Sequence, residues 1–291
     1  MGDNIRMRTL FSWRRHSCLP RRHSCRRRRA LLASSIAFLF LAVTRLSGQP
    51  APQPHRMPDG KPDLSGIWQA LNTANWDLED HAARTGLVVA LGAIGAEPGG
   101  PGVVEGGEIP YLPEAKEKKK ANFANRLTAD PELRCYLPGV PRANYMPYPF
   151  QIFHSTKAIF FAYEYAGAVR NVFLKDPGPA PADSWMGQSF GHWEGDTLVV
   201  DVAALDERTW FDRAGDFHSD ALHVVERYTP MGPDILSYEA TIEDPKVFSR
   251  PWKIQMPLYR HVEKNARLME FKCVEFAEEL MYGQFTKKDG K

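Results

Sequence analysis

From Phe150 onward, apolar and polar positions alternate in short runs, each closed by turn residues. Alternation with period two over four to eight residues, rich in Val, Ile, Thr and aromatics, marks half-buried strands. The pattern predicts strands over 151–154, 158–165, 169–174, 188–194 and 197–203, then over 221–228, 235–242, 252–259 and 267–273. Asp176-Pro177-Gly178 and Met231-Gly232-Pro233-Asp234 are typical of the separators. Short, evenly spaced strands of this kind predict an all-β, mainly antiparallel sandwich or barrel. No internal repeat is visible, which disfavours a propeller or solenoid.

The best-defined local unit is the hairpin at Trp193-Glu194-Gly195-Asp196-Thr197-Leu198. Gly-Asp supplies the positive φ of a two-residue primed turn. That turn pairs Glu194 with Thr197, Trp193 with Leu198, His192 with Val199 and Phe190 with Asp201. Trp193, Leu198 and Val200 then share one face, and Phe190, His192, Val199 and Asp201 the other. His192 and Asp201 become diagonal neighbours.

The chain ahead of Phe150 is less regular. Residues 65–69 are a short strand. Residues 86–110, rich in glycine and proline, are expected to form a long surface loop or lid. They are not a phosphate loop, since no Gly-Lys-Ser/Thr follows. Residues 113–127 open with proline and glutamate and predict a helix with Ala115, Phe123 and Leu127 inward and its lysine run solvated. Residues 135–149 contain four prolines and are expected to be irregular. The expected organisation is a leader over 1–48, a proline-rich tether over 49–63, one domain over 64–285 and a disordered tail over 286–291.

The leader changes the charge argument. Arg14, Arg15, Arg21, Arg22 and Arg26 to Arg29 precede an uncharged apolar stretch from Ala30 to Val43 with small residues mixed in, the order of a secretory signal peptide. The run is shorter than the ~20 residues that span a bilayer, although an uncleaved anchor is the alternative. The Sec or the twin-arginine route would export the chain to the periplasm or beyond. The formal net charge is +2. Without the leader's eleven arginines and Asp3, 26 basic and 34 acidic residues remain. An acidic mature surface argues against nucleic acid or anionic lipid as partners, and no membrane association is expected after cleavage. Outside the leader only Cys135 and Cys273 remain. In an oxidising compartment they are expected to pair, with two buried thiols as the alternative.

Four segments together, 62–68 (PDLSGIW), 193–202 (WEGDTLVVDV), 208–228 (RTWFDRAGDFHSDALHVVERY) and 238–252 (YEATIEDPKVFSRPW), resemble a group of uncharacterised exported bacterial proteins. The resemblance covers most of residues 60–276 and implies export and a β fold, without catalytic residues. Gly66-Ile67-Trp68 is also similar to the opening of lipocalin-like (calycin-like) barrels, where the tryptophan plugs one end of a ligand-holding barrel. The resemblance implies a lipocalin-like β-barrel. The long irregular stretch after Trp68 departs from that pattern.

Candidate chemistry is sparse. His218-Ser219-Asp220 carries three catalytic residue types, but neighbouring side chains diverge and cannot form a triad as they stand. In an extended segment His218 and Asp220 would share a side, where the acid could tune the imidazole for proton transfer. The alternative is an ordinary loop leading into a strand. His192 and Asp201 are a second candidate pair if their face lines a cavity, and ordinary surface residues if that face is wet. No His-Glu-x-x-His, Gly-x-Ser-x-Gly or dinucleotide fingerprint occurs, so neither metal nor cofactor is expected. Trp68, Tyr163, Trp185 and Trp210 are candidate ligand contacts, rings with polar edges suiting a small apolar or sugar-like molecule, with plain core packing as the alternative. Arg170 could face an anionic group, or lie on the surface. The leading expectation is an exported small-molecule-binding protein. A cofactor-free lyase, isomerase or hydrolase using one of the His/Asp pairs is the alternative, and an envelope-interaction protein without a pocket is the third class.

Overall fold

The computed structural model describes residues 54–86 and 89–282. The expected leader over 1–48 and tail over 286–291 lie outside them. The described strands are β1 (Gly66–Ala70), β2 (Phe150–His154), β3 (Ile159–Tyr163), β4 (Val169–Phe173) and β5 (Gln188–Glu194), followed by β6 (Thr197–Ala203), β7 (His223–Pro230), β8 (Ile235–Glu243) and β9 (Trp252–Arg260). They close in chain order into a barrel, with β9 pairing back onto β1 through Trp68↔Arg260 and Ala70↔Leu258. Closure removes the free edges that would invite other chains to pair.

Every neighbouring pair is antiparallel except β4 and β5, which run parallel through Val172↔Ser189 and Phe173↔Phe190. A parallel pair needs a connection that returns the chain to the other end, which residues 174–187 provide. The hairpin has the register that the turn dictates, from Glu194↔Thr197 to Phe190↔Asp201, with Gly195 at φ 60°. Residues 267–273 are not a strand. With β9 sealed to β1 no edge is left for them. They are held instead by the Cys135–Cys273 disulfide and by Phe271, whose ring packs 5.1 Å from Tyr148 and 4.9 Å from Tyr165.

Inward positions alternate along each strand. Ile152, Phe161, Val172, Leu198, Val200, Val224, Tyr238, Ile254 and Leu258 are all buried in one core. Each large apolar side chain so buried contributes about 1.5 to 3 kcal/mol.

The ends of the barrel differ. At the mouth lie the β2–β3 and β5–β6 turns and the start of β1. Residues 54–63 of the predicted tether strap across this end. Arg56 donates two hydrogen bonds to Asp196, at 2.9 and 2.7 Å, and Lys61 lies 5.7 Å from the centre of the Trp193 ring.

The base is built from the run between β1 and β2 and from the β6–β7 connection. Helix α1 (Pro113–Ala124) buries Ala115, and Phe123 is half-buried. Leu127 was expected inward but is exposed, because the helix ends at Ala124 and the backbone turns at Asn125. The lysine run is not wholly solvated either, since Lys119 reaches inward to Asp216 at 2.6 Å. The glycine-rich stretch pairs through His81↔Gly100, Arg84↔Glu97 and Val104↔Ile254, and so lies against β9 rather than standing clear. Residues 139–146 fold under the barrel, burying Val140, Ala143, Tyr145 and Met146. Among the described residues, no helix is long and apolar enough to cross a membrane.

Candidate functional site

Glu226 breaks the apolar interior. It lies between Val224 and Tyr228 at an inward position of β7 and is fully buried. Its Oε1 accepts hydrogen bonds from Asn144 Nδ2 (2.7 Å), Tyr238 OH (2.7 Å) and Tyr228 OH (3.0 Å). Its Oε2 accepts from Arg170 Nη2 on β4. Acting only as an acceptor, toward four donors, is the pattern of a charged carboxylate.

The partners come from distant parts of the chain. Arg170 Nε donates to Ser189 Oγ of β5 at 2.7 Å, and the guanidinium lies 5.4 Å from the centre of the Phe161 ring. Tyr163 donates to Asn144 Oδ1 at 3.0 Å. Asn144 is carried up into the barrel by the short helical turn Arg142–Asn144 at the base. Burial, and then the charge of Glu226, push the Tyr228 and Tyr238 hydroxyls well above their usual range. Burial likewise raises Tyr163, against the opposing effect of Arg170. All three therefore remain protonated donors at neutral pH. Burial alone would lower Arg170, but the Glu226 charge outweighs it and raises the guanidinium well above its usual value.

One donor group stays unmatched. Arg170 Nη1 is buried and has no hydrogen-bond partner. A buried donor left in this state costs about 1 to 3 kcal/mol. Tyr163 donates its proton to Asn144, and its oxygen, close enough to feel the guanidinium, keeps lone pairs that could accept from Arg170 with a small movement.

A half-open cleft of about 250 Å³ lies at the mouth, lined by residues that include Lys61, His154, Leu174, Gly191, His192 and Trp193. His154 and Trp193, both at inward positions, stack with ring centres 5.6 Å apart. Gly191 has no side chain, and Val172 fills the space, with its Cγ1 2.6 Å from where a Cβ would sit. Ser189 is the next inward residue along β5, ~7 Å deeper at the usual strand rise. The cleft thus lies one inward step above the side chain that holds Arg170 Nε.

Of the predicted ligand contacts, Tyr163 and Arg170 converge on this buried network. Trp68 is buried near the mouth. Its Nε1 donates to Leu64 O at 2.9 Å, and the Arg260 guanidinium lies 4.3 Å from its ring centre. Trp185 and Trp210 do not reach the interior. Both are half-buried in base connections, Trp185 against Tyr136 (4.8 Å) and Arg208 (4.5 Å).

Neither His/Asp pair is assembled. His218 is buried, with Nδ1 2.8 Å from Ser219 O and Nε2 2.5 Å from Thr209 Oγ1, so both ring nitrogens are engaged. Burial lowers its pKa. Asp220 is exposed and pairs with Lys246 at 2.5 Å. The two were expected to share a side because an extended segment was assumed. Residues 219–222 turn instead, with Ala221 N and Leu222 N both donating to Ser219. His192 and Asp201 lie on the outer wall, His192 3.3 Å from Glu194 and Asp201 3.3 Å from His223. Adjacent residues outcompete the diagonal partner.

The base holds two further buried charge clusters. Arg142 donates from Nε to Asn75, from Nη1 and Nη2 to Asp130, and from Nη2 also to Glu132. Glu132 receives Arg213 as well, at 2.8 and 2.7 Å. Burial would raise the Glu132 carboxyl, but Arg213 and Arg142 hold it at about 2. Nearby, Asp77, Asp212 and Asp216 bring carboxylate oxygens within 4.8 Å of one another, a set of hard ligands that could suit a cation. Lys119 and Tyr111 already address Asp216, Arg84 addresses Asp77, and the backbone amides of Leu78 and Asp216 address Asp212. Burial and the Asp216 charge raise Asp212 well above the usual carboxyl range.

Sequence reasoning missed Glu226, Asn144, Ser189, Tyr228 and Tyr238. The readable signal was Glu226 itself, an acid at the inward beat of Val224, Glu226 and Tyr228. Nothing local marks Asn144. Comparison with known proteins finds no matching family model, curated protein or solved structure.

Proposed function

We propose that this protein binds a small molecule inside its barrel, reached from the mouth and held by its polar end at Arg170. The observation that carries the reading is the unpartnered Nη1 of Arg170, buried within an otherwise matched set of donors and acceptors. A buried polar cluster beside apolar walls is the usual composition of a ligand site. The cleft above it, about 250 Å³, is of a size for a compact metabolite rather than a long lipid. A lipocalin-like build fits this reading in its closed barrel, but Trp68, packed under Arg260, lies at the end by which the ligand would enter. Export to the periplasm or the medium is part of the proposal, supported by the Arg-rich, apolar leader and by a disulfide between Cys135 and Cys273.

Thermal melts in the presence of acetophenone, benzoate and methyl glucoside, each at millimolar concentration, test the binding. A ligand of the folded state raises the midpoint in proportion to its occupancy. The expected result is a shift with at least one probe that disappears in the double variant Arg170→Met/Glu226→Leu, which removes both charges together. An equal shift in the double variant, or none of the three probes acting on the wild type, overturns the proposal. Cell fractionation with the full leader tests export, and retention in the cytoplasm overturns that part.

A further inference from the structure

We infer that the barrel site selects an uncharged molecule bearing a hydrogen-bond acceptor, such as a ketone, ester or amide carbonyl, and rejects carboxylates. The inference deepens the binding proposal and rests on it. A lone buried arginine would suit an anion, and Arg is the residue of choice for carboxylates. Arg170 is not alone. Glu226 already balances its charge within hydrogen-bond contact. Around the pair stand Asn144, Ser189, Tyr163, Tyr228 and Tyr238, none of which carries charge. The interior is therefore neutral as built.

An entering carboxylate would leave one net negative charge among groups that are 0 to 4% exposed. Burying an uncompensated charge at such a depth is strongly unfavourable even after relaxation. It would also approach Glu226, a like charge on the same guanidinium. A neutral carbonyl avoids both effects and offers lone pairs to the two N–H groups of Nη1. Those groups need an acceptor and do not need a counter-charge. Two distinct requirements, charge balance and donor satisfaction, are thus met by different partners, Glu226 for the first and the ligand for the second. The apolar surroundings, including Phe161 beneath the guanidinium and Val172 and Leu198 on the walls, fit the rest of such a molecule.

Acetophenone and benzoate have nearly the same shape and differ in charge, so calorimetric titration of both into the full mature protein tests the inference. Acetophenone is expected to bind the wild type at least tenfold more tightly than benzoate. In Glu226→Gln the guanidinium loses its counter-charge, and the order is expected to reverse. Should that variant fail to fold, the wild type alone decides. Its affinity for total benzoate should rise tenfold or more as the pH falls from 6 to 4, toward the ordinary carboxyl pKa of about 4 where the neutral acid forms. Affinity for acetophenone should stay level over that range. Benzoate binding the wild type as tightly as acetophenone overturns the inference and leaves the barrel site standing. If neither probe binds at any pH the inference falls, and the binding proposal falls with it only where methyl glucoside also fails to bind.

Discussion

Two buried guanidinium groups in this molecule are treated in opposite ways. At the base, Arg142 engages all three of its nitrogens, meeting Asn75, Asp130 and Glu132. In the barrel, Arg170 engages Nε and Nη2 and leaves Nη1 without a partner. Each side chain is almost wholly buried, and each faces carboxylate, so burial and charge pairing do not separate them. Hydrogen-bond saturation does. A saturated network ties separate segments of the irregular base to one another, Asn75, Asp130, Glu132 and Arg213 meeting around Arg142. An unsaturated one, buried inside the barrel, leaves a donor without an acceptor.

The largest effect expected from breaking this contrast is at the base. Arg142→Met strands Asp130 beside Glu132, and removing one partner of a buried pair typically costs about 3 to 5 kcal/mol. Urea unfolding should show that loss, and a variant within about 1 kcal/mol of the wild type would mean that the base network is not a structural anchor.

Acid should reach the same network next. The Glu132 carboxyl is held at about 2, against 4.5 for the free group. Its folded pKa is depressed, so its stabilisation is present above pH 4.5 and fades as the pH falls from 4.5 through 2. The difference corresponds to about 3 kcal/mol by proton linkage. Unfolding free energy followed over that range should fall less steeply in Glu132→Gln than in the wild type, and parallel curves would contradict the assignment.

The barrel pair is expected to respond more mildly when removed as a unit. Replacing both members of a buried ion pair with apolar residues is often close to neutral. The double variant Arg170→Met/Glu226→Leu removes both charges but takes the acceptor from the Tyr228 and Tyr238 hydroxyls, so it should lose about 2 to 4 kcal/mol in urea unfolding while losing probe binding. A much larger loss would place Arg170 with Arg142 as a scaffold residue. The smallest effect belongs to the strap. Arg56 and Asp196 are solvent-exposed, and Asp196→Ala should leave the thermal midpoint unchanged, as exposed pairs usually do. A clear drop would show that the strap contributes to the fold as well as covering the mouth.

Alternation made much of the wall legible. Strands at 188–194 and 197–203 form over those residues, and the hairpin register follows from Gly195-Asp196 alone. The cysteine pairing was also readable, because only two cysteines lie outside the leader. Tyr163 and Arg170 were visible as candidates from strand position. The rest was hidden for identifiable reasons. His218 and Asp220 were placed together by assuming an extended backbone where Ser219 nucleates a turn. Leu127 was assigned inward by continuing a helix past its end at Ala124. Lys119 looked solvated because a lysine run carries no sign of the aspartate that one of its members will meet 97 residues later.

The chain by itself determined what is short-range: where strands run, where the polypeptide turns, which side chains alternate, and which two cysteines were left to meet. Tertiary structure alone decided which face became the interior and which group stands opposite which. Arg170 and Glu226 are 56 residues apart, and Asn144 and Glu226 are 82 apart. The physical reason is that backbone periodicity is set by neighbours along the chain, whereas charge balance in a closed barrel is set by whatever closure brings within ~3 Å. A glutamate on an inward beat announces that a partner must exist, and only the folded barrel supplies it.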